Sequence, residues 1–231
     1  MNAVAEVEDA MFVEVMACAV HDIKNSIGLL LDSADDVAAA MSANGVGEHQ
    51  LGSLQCEARR INYDLMHLLG LYKAERAGFR LHAEVVNCEE LLEEVHAFNV
   101  ELLARRGITL HAHCRSAVEG FFDRELVRGV VNSIVNNAFK HAISRVEIGC
   151  EVHDGYTVLS VDDDGAGYAP KLLATNDLAP GPSNYRSGNT GLGLFFARRI
   201  AALHEHRGRH GRVALGNESN CGGGRFELWL P

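Results

Sequence analysis

Basic charge is what this chain lacks. Lysine and arginine number 21 against 31 aspartates and glutamates, for a net charge of -10. No basic stripe faces a phosphate backbone, which argues against a nucleic-acid binder. The six cysteines, Cys18, Cys56, Cys88, Cys114, Cys150 and Cys221, form no C-x-x-C pair. Zinc and redox motifs therefore have no support, and reduced thiols in a cytosolic protein are expected. Long apolar runs are missing too: Glu14 interrupts the first, and nothing approaches the ~20 residues of a membrane span. The start of the chain has no basic region followed by an apolar core, so no signal peptide is read and a cytoplasmic location is expected. No Gly-Lys-Ser/Thr follows a glycine loop, which excludes the Walker pattern. Internal repeats and low-complexity runs are absent as well.

What is present divides at Gly78. Before it, Val13, Met16, Val20, Ile23, Ile27, Leu30, Ala34, Val37 and Met41 recur at alternating spacings of three and four. That is a heptad seam on one long helix. The glycines of Ser42-Ala43-Asn44-Gly45-Val46-Gly47 break it. A second seam follows: Leu51, Leu54, Ala58, Ile61, Leu65, Leu68 and Tyr72. The two predict an antiparallel helical hairpin over residues 1–77. A lone hairpin buries two apolar stripes poorly, so a homodimeric four-helix bundle is expected.

Residues 78–231 mix periods. Residues 89–105 read as a helix with Leu91, Leu92, Val95, Leu102 and Leu103 on its apolar side, and residues 108–113 as a strand. Asp123 is placed to cap a helix running through His141. Residues 146–152 and 156–161 predict a β-hairpin turned at Asp154-Gly155. A helix over 191–204 and strands over 213–215 and 226–230 complete the pattern. The class is α+β: a helical hairpin followed by an α/β sandwich with helices on one face of a mixed sheet.

Four short motifs carry chemistry. His21-Asp22-Ile23-Lys24-Asn25 lies on the first helix, with His21, Asp22 and Asn25 at b, c and f positions, away from the seam. Asp22 beside an exposed imidazole can hold one ring nitrogen protonated and leave the other free to attack. Asn136-Asn137-Ala138-Phe139-Lys140-His141 ends the helix that Asp123 begins; the Asn137 carbonyl suits Mg²⁺, and Lys140 suits phosphate. Asp163-Asp164-Gly165-Ala166-Gly167 ends an apolar strand, where glycines let a flat ring approach. Thr190-Gly191-Leu192-Gly193-Leu194 opens a helix whose first N–H groups favour anions.

In this order the motifs resemble the H, N, G1 and G2 boxes of sensor histidine kinases with an ATP-binding domain of the GHKL (Bergerat) type. The resemblance implies that His21 accepts a phosphoryl group from ATP, with Asp22 assisting, and passes it to an aspartate on a response regulator receiver domain. It implies that Asn25 positions water for dephosphorylating that partner, giving a phosphatase activity. It assigns nucleotide binding to Asn137, Lys140, His141, Asp163, Gly165, Gly167, Thr190, Gly191, Leu192 and Gly193, with Mg²⁺ on Asn137 and the adenine amino group on Asp163. The segment between Gly167 and Gly188 reads as a mobile lid. Ser26 stands where the family usually has proline, Ser133 where it often has a first asparagine, and Asn189 where it often has glycine. Only twenty residues precede His21, so the signal is expected from a separate sensor or input protein, unless the sequence is a fragment. Two other readings stay open: a histidine phosphotransfer or scaffold protein with weak or regulatory nucleotide binding, and a GHKL ATPase that phosphorylates serine.

Overall fold

The computed structural model describes Ile23 and Leu30, both helical, and residues 81–104, 106–114, 118–174 and 192–231. The hairpin and bundle expected over residues 1–77 fall almost wholly outside the described residues. The chain divides into two units, Met1–Lys73 with Ala179–Phe195 and Ala74–Leu178 with Phe196–Pro231; the second holds nearly all the described residues.

Element order in that second part is β1 (Ala83–Asn87), α1 (Cys88–Ala104), β2 (Thr109–Cys114), β3 (Glu119–Asp123), α2 (Arg124–His141), β4 (Arg145–His153), β5 (Tyr156–Asp163), α3 (Pro170–Ala174), α4 (Leu192–Leu203), β6 (Glu205–His206), β7 (Arg209–His210), β8 (Arg212–Gly216) and β9 (Arg225–Leu230). The main sheet runs β2-β4-β5-β9-β8. β2 and β4 are parallel and the other neighbours antiparallel, so the mixed α/β sheet expected from the pattern is present.

The β4–β5 turn follows from its sequence. Asp154 and Gly155 both take positive φ, 51° and 76°, as a two-residue type I′ turn requires. The register then puts Cys150, Leu159 and Leu228 side by side on the face that α1 and α2 cover. Ile148, Leu159, Phe226 and Leu228 are fully buried there. The five apolar residues assigned to the first helix of this region are all buried in α1.

α2 begins where its cap predicts. The Asp123 carboxylate accepts from the Leu126 N–H at 3.1 Å and from the His82 N–H at 3.1 Å. The Asp123 N–H donates to His204 Nε2 at 3.0 Å, and the other ring nitrogen, Nδ1, lies 2.7 Å from the Ile200 carbonyl. An Nε2 that accepts leaves the proton on Nδ1, so His204 is a neutral buried tie between α2 and α4. Burial pushes its pKa down.

The sequence reading omitted two pairs of strands. β1 and β3 form a separate antiparallel sheet, and β6 and β7 a short one turned at Arg207-Gly208 with φ 51° and 76°. The segment read as a lid begins with the short helix α3; residues 175–191 lie outside the described residues.

Candidate active site

The G1 motif sits where β5, the central strand, ends. Asp163 is its last residue, buried on the helix-covered face. Its backbone is fixed by the loop before β9: Asp163 N–H donates to Gly224 O at 2.9 Å, and Gly223 N–H and Ser219 Oγ both donate to Asp163 O, at 3.0 and 2.9 Å. Its side chain is half used. Oδ1 accepts from Gly165 N–H at 2.8 Å and Gly224 N–H at 3.4 Å. Oδ2 has no hydrogen-bond donor among the described residues, and a Cβ added at Gly224 would meet it at 2.9 Å. One oxygen is held in place and the other left to accept.

Asp164 points elsewhere. Its carboxylate accepts from Ile143 N–H (2.8 Å), Ser144 N–H (3.0 and 3.1 Å) and Ser144 Oγ (2.7 Å). Desolvation raises its pKa, but these hydrogen bonds outweigh it and bring the value down to about 2. Asp164 thereby ties the G1 loop to the residues just beyond α2. The approach is close: a Cβ at Gly165 would collide with the His141 carbonyl oxygen, so only glycine fits. Gly167 takes φ 74° and closes on Asn217, whose amide grips Tyr168, with Oδ1 accepting from Tyr168 N–H (2.6 Å) and Nδ2 donating to Tyr168 O (2.9 Å). The Tyr168 ring lies against Gly224; burial first, then the charges of Asp163 and Asp162, push its phenol pKa up.

Asn137, Lys140 and His141 occupy the last two turns of α2, Asn137 half-buried and the other two exposed. The tie through Asp164 and Gly165 brings this end of α2 beside Asp163. Asn136 is 5% exposed, and neither amide atom has a hydrogen-bond partner among the described residues. Among the described residues no three His, Cys, Asp or Glu side chains group to hold a metal ion. Mg²⁺ shared with phosphates takes only one or two protein oxygens, and a carboxamide oxygen such as that of Asn137 is of the right chemistry for one. Leu192 and Gly193 open α4, as expected. His21, Asp22, Asn25, Thr190 and Gly191 lie outside the described residues.

Sequence reasoning passed over Asp164, Ser144, Asn217, Ser219, Gly223 and Gly224. The run Cys221-Gly222-Gly223-Gly224 directly before an apolar strand was the available signal for the last two. The Asn217 and Ser219 contacts span 49 and 56 residues and leave no local trace.

Residues 122–231 match the family described as histidine kinase-, DNA gyrase B-, and HSP90-like ATPase. The chain is 25% identical over 190 residues to the sensor histidine kinase CpxA of Escherichia coli (strain K12), covering 79% of this chain and 39% of CpxA. It is 22% identical over 188 residues to the sensor histidine kinase CssS of Bacillus subtilis (strain 168), covering 80% and 40%. The chain thus spans about two fifths of the length of these curated relatives. Among solved structures it resembles histidine kinase ThkA in a complex with response regulator protein TrrA, with a TM-score of 0.64, 16% sequence identity, and coverage of 98% of this chain and 63% of that one. No helix among the described residues is long and apolar enough to cross a membrane. The mixed sheet with its helices, the aspartate at the end of the central strand and the glycines around it agree with one conclusion: residues 122–231 belong to the histidine kinase-, DNA gyrase B- and HSP90-like ATPase family, within a chain similar to sensor histidine kinases.

Proposed function

We propose that this chain is the kinase portion of a two-component system: it phosphorylates its own His21 with ATP and passes the phosphoryl group to an aspartate of a response regulator. The observation that carries the reading is Asp163, whose Oδ1 is pinned by two backbone N–H groups while Oδ2 stays open. A fixed, buried carboxylate oxygen is a specific acceptor for an adenine amino group. Gly165 and Gly167 keep side chains out of the base's path. Lys140 and His141 meet the phosphates, and Asn137 supplies one oxygen to Mg²⁺, which would neutralise phosphate charge. The orphaned amide of Asn136 supports a polar ligand at this end of α2. The resemblance gives the phosphates to Thr190, Gly191, Leu192 and Gly193, the glycine motif of the family.

Residues 1–77 form the dimerisation and phosphoacceptor hairpin, and residues 78–231 the catalytic domain. A ring nitrogen of His21 attacks the γ-phosphorus as the bond to ADP breaks; Asp22 holds the proton on the other nitrogen. The His21 phosphoryl group then moves to the regulator's carboxylate. Asn25, one turn on, orients water for hydrolysis of the partner's aspartyl phosphate, which releases inorganic phosphate. A sensor or input protein acts in trans or is joined to this chain, at the cytoplasmic side of the cell.

Incubation with γ-labelled ATP and Mg²⁺ tests the proposal. Acid-labile label on the wild type, absent from His21→Gln while nucleotide binding persists, is the expected result. Acid-stable label would instead favour serine phosphorylation. Nucleotide binding with no label would favour the phosphotransfer or scaffold reading.

A further inference from the structure

The loop before β9 meets the G1 motif at two glycines, and the two meet different things. At Gly223 the contact is backbone on backbone: a Cβ there would lie 2.6 Å from both Gly165 N and Gly165 O. Ser219 Oγ closes this loop on itself, accepting from the Cys221 and Gly223 N–H groups at 3.1 and 3.0 Å. At Gly224 the neighbours are side chains. A Cβ there would lie 2.9 Å from Asp163 Oδ2 and 3.2 Å from Tyr168 Cε2. The open carboxylate oxygen and the edge of the aromatic ring thus face one bare α-carbon. Neither is free to retreat. Asp163 Oδ1 is held by the Gly165 and Gly224 N–H groups, and the Asn217 amide grips the Tyr168 backbone on both sides. Gly224 is not among the glycines with positive φ, so its backbone conformation is open to any residue. What glycine provides there is room beside a buried oxygen that has no donor.

Resting on the nucleotide reading of Asp163 given above, we propose that Gly224 is a specificity-determining residue of that site: its bare α-carbon leaves Asp163 Oδ2 open to the exocyclic amino group of adenine, beside the ring of Tyr168. An amino nitrogen donates to a carboxylate oxygen at about 2.7–3.2 Å. A methyl group on Gly224 would stand 2.9 Å from Oδ2, inside that range, and has no proton to donate. It would cover the oxygen, or push the carboxylate off the Gly165 N–H that orients it. Either way the loss falls on a purine that carries the amino group. A purine with hydrogen in its place makes no use of Oδ2 and loses little. Tyr168 bounds the same opening, so the ring limits where a base can lie while the missing side chain of Gly224 decides whether the amino group reaches its acceptor.

The test uses the full chain with Mg²⁺ and reads Kd by calorimetry for ATP and for purine riboside triphosphate, which lacks the amino group. The wild type should prefer ATP by about 5- to 150-fold. Gly224→Ala should lose most of that preference through weaker ATP binding, with the analogue nearly unchanged. A double-mutant cycle with Asp163→Ala locates the effect: once Oδ2 is gone, adding Gly224→Ala should weaken ATP no further. An unchanged preference in Gly224→Ala overturns the proposal, and so do equal losses of ATP and analogue. A further loss of ATP in the double variant, relative to Asp163→Ala, overturns it as well. That comparison stands even where Gly224→Ala alone fails to fold, because removing the carboxylate removes the collision. All three outcomes leave the kinase reading in place when the wild type prefers ATP. A wild type that binds the two nucleotides alike overturns this proposal while ATP binding stands, and one that binds neither overturns the kinase reading and this proposal together.

Discussion

The two faces of the main sheet are built on different terms. On the helix-covered face, Ile148, Leu159, Phe226 and Leu228 form a dry apolar layer. On the other face the register aligns Glu147 with Asp162, and Asp162 with Arg225. Asp162 is fully buried, and neither carboxylate oxygen has a hydrogen-bond partner among the described residues; the Arg225 guanidinium stands 3.8 Å away. Its neighbour Asp163 belongs to the first face and has one oxygen held and one open. Successive strand residues point to opposite sides, so two adjacent aspartates live in different chemistry. A slip of one residue in the register of β5 would exchange them. What places the candidate site is therefore less the Asp-Asp-Gly letters than the turn and register that decide which aspartate faces the helices.

Mutation can break this comparison. The largest effect is expected in the apolar layer: Leu228→Ala should cost about 2–5 kcal/mol of stability, whereas Ser160→Ala on the opposite face should cost about 0.5 kcal/mol. Urea titration of both variants checks it, and equal midpoints would mean that the two faces contribute alike. Gly165→Ala comes next. Its Cβ would collide with the His141 carbonyl, so a loss of roughly 1–3 kcal/mol is expected, together with weaker nucleotide binding, read by thermal melting with and without ATP.

Asp163→Ala should leave the fold intact and weaken ATP by about 1–3 kcal/mol, roughly 5- to 150-fold in Kd. Calorimetry that finds an unchanged Kd would move the adenine acceptor elsewhere.

Acid should act on the buried and hydrogen-bonded titratable groups with opposite signs. His204 has a lowered pKa, so the unfolded chain takes up the proton first. Stability from this tie is whole above the ordinary imidazole pKa of 6.5 and declines as pH falls below it. Asp164 adds a second decline from 3.8 down through about 2. Asp162 runs the other way: burial raises its pKa, partly offset by Arg225, so its cost appears as pH rises above 3.8. The smallest effect follows. Asp162→Asn should gain on wild type, by under about 1 kcal/mol, when pH is raised from below 3.8 to neutrality. Denaturation midpoints of both proteins at the two pH values test the sign; a gap that shrinks on raising pH would contradict it.

Local signals made much of this legible. Period and cap placed α1 and α2, and Asp154-Gly155 placed the hairpin, because in each the residues that decide the structure are near one another in the chain. β1 and β3 escaped because each is short and carries an exposed apolar residue, Val85 opposite Phe121, which blurs the alternation. The motif letters found Asp163, Gly165, Gly167 and the end of α2. They did not find the Ser219, Gly223 and Gly224 side of the site, which reaches Asp163 from more than fifty residues away.

That distance has a consequence for the order of assembly. The β4–β5 hairpin closes over two residues and can form within microseconds. It presents Asp163 with nothing opposite. Gly224 and β9 must return across a loop of some sixty residues before the Asp163 backbone is paired and Oδ1 is clamped, and such closure is slow relative to a hairpin. On a ribosome the same strand emerges late. The nucleotide pocket is therefore among the last parts of this domain to exist, and a nascent or clipped chain without β9 would present the motif without the pocket.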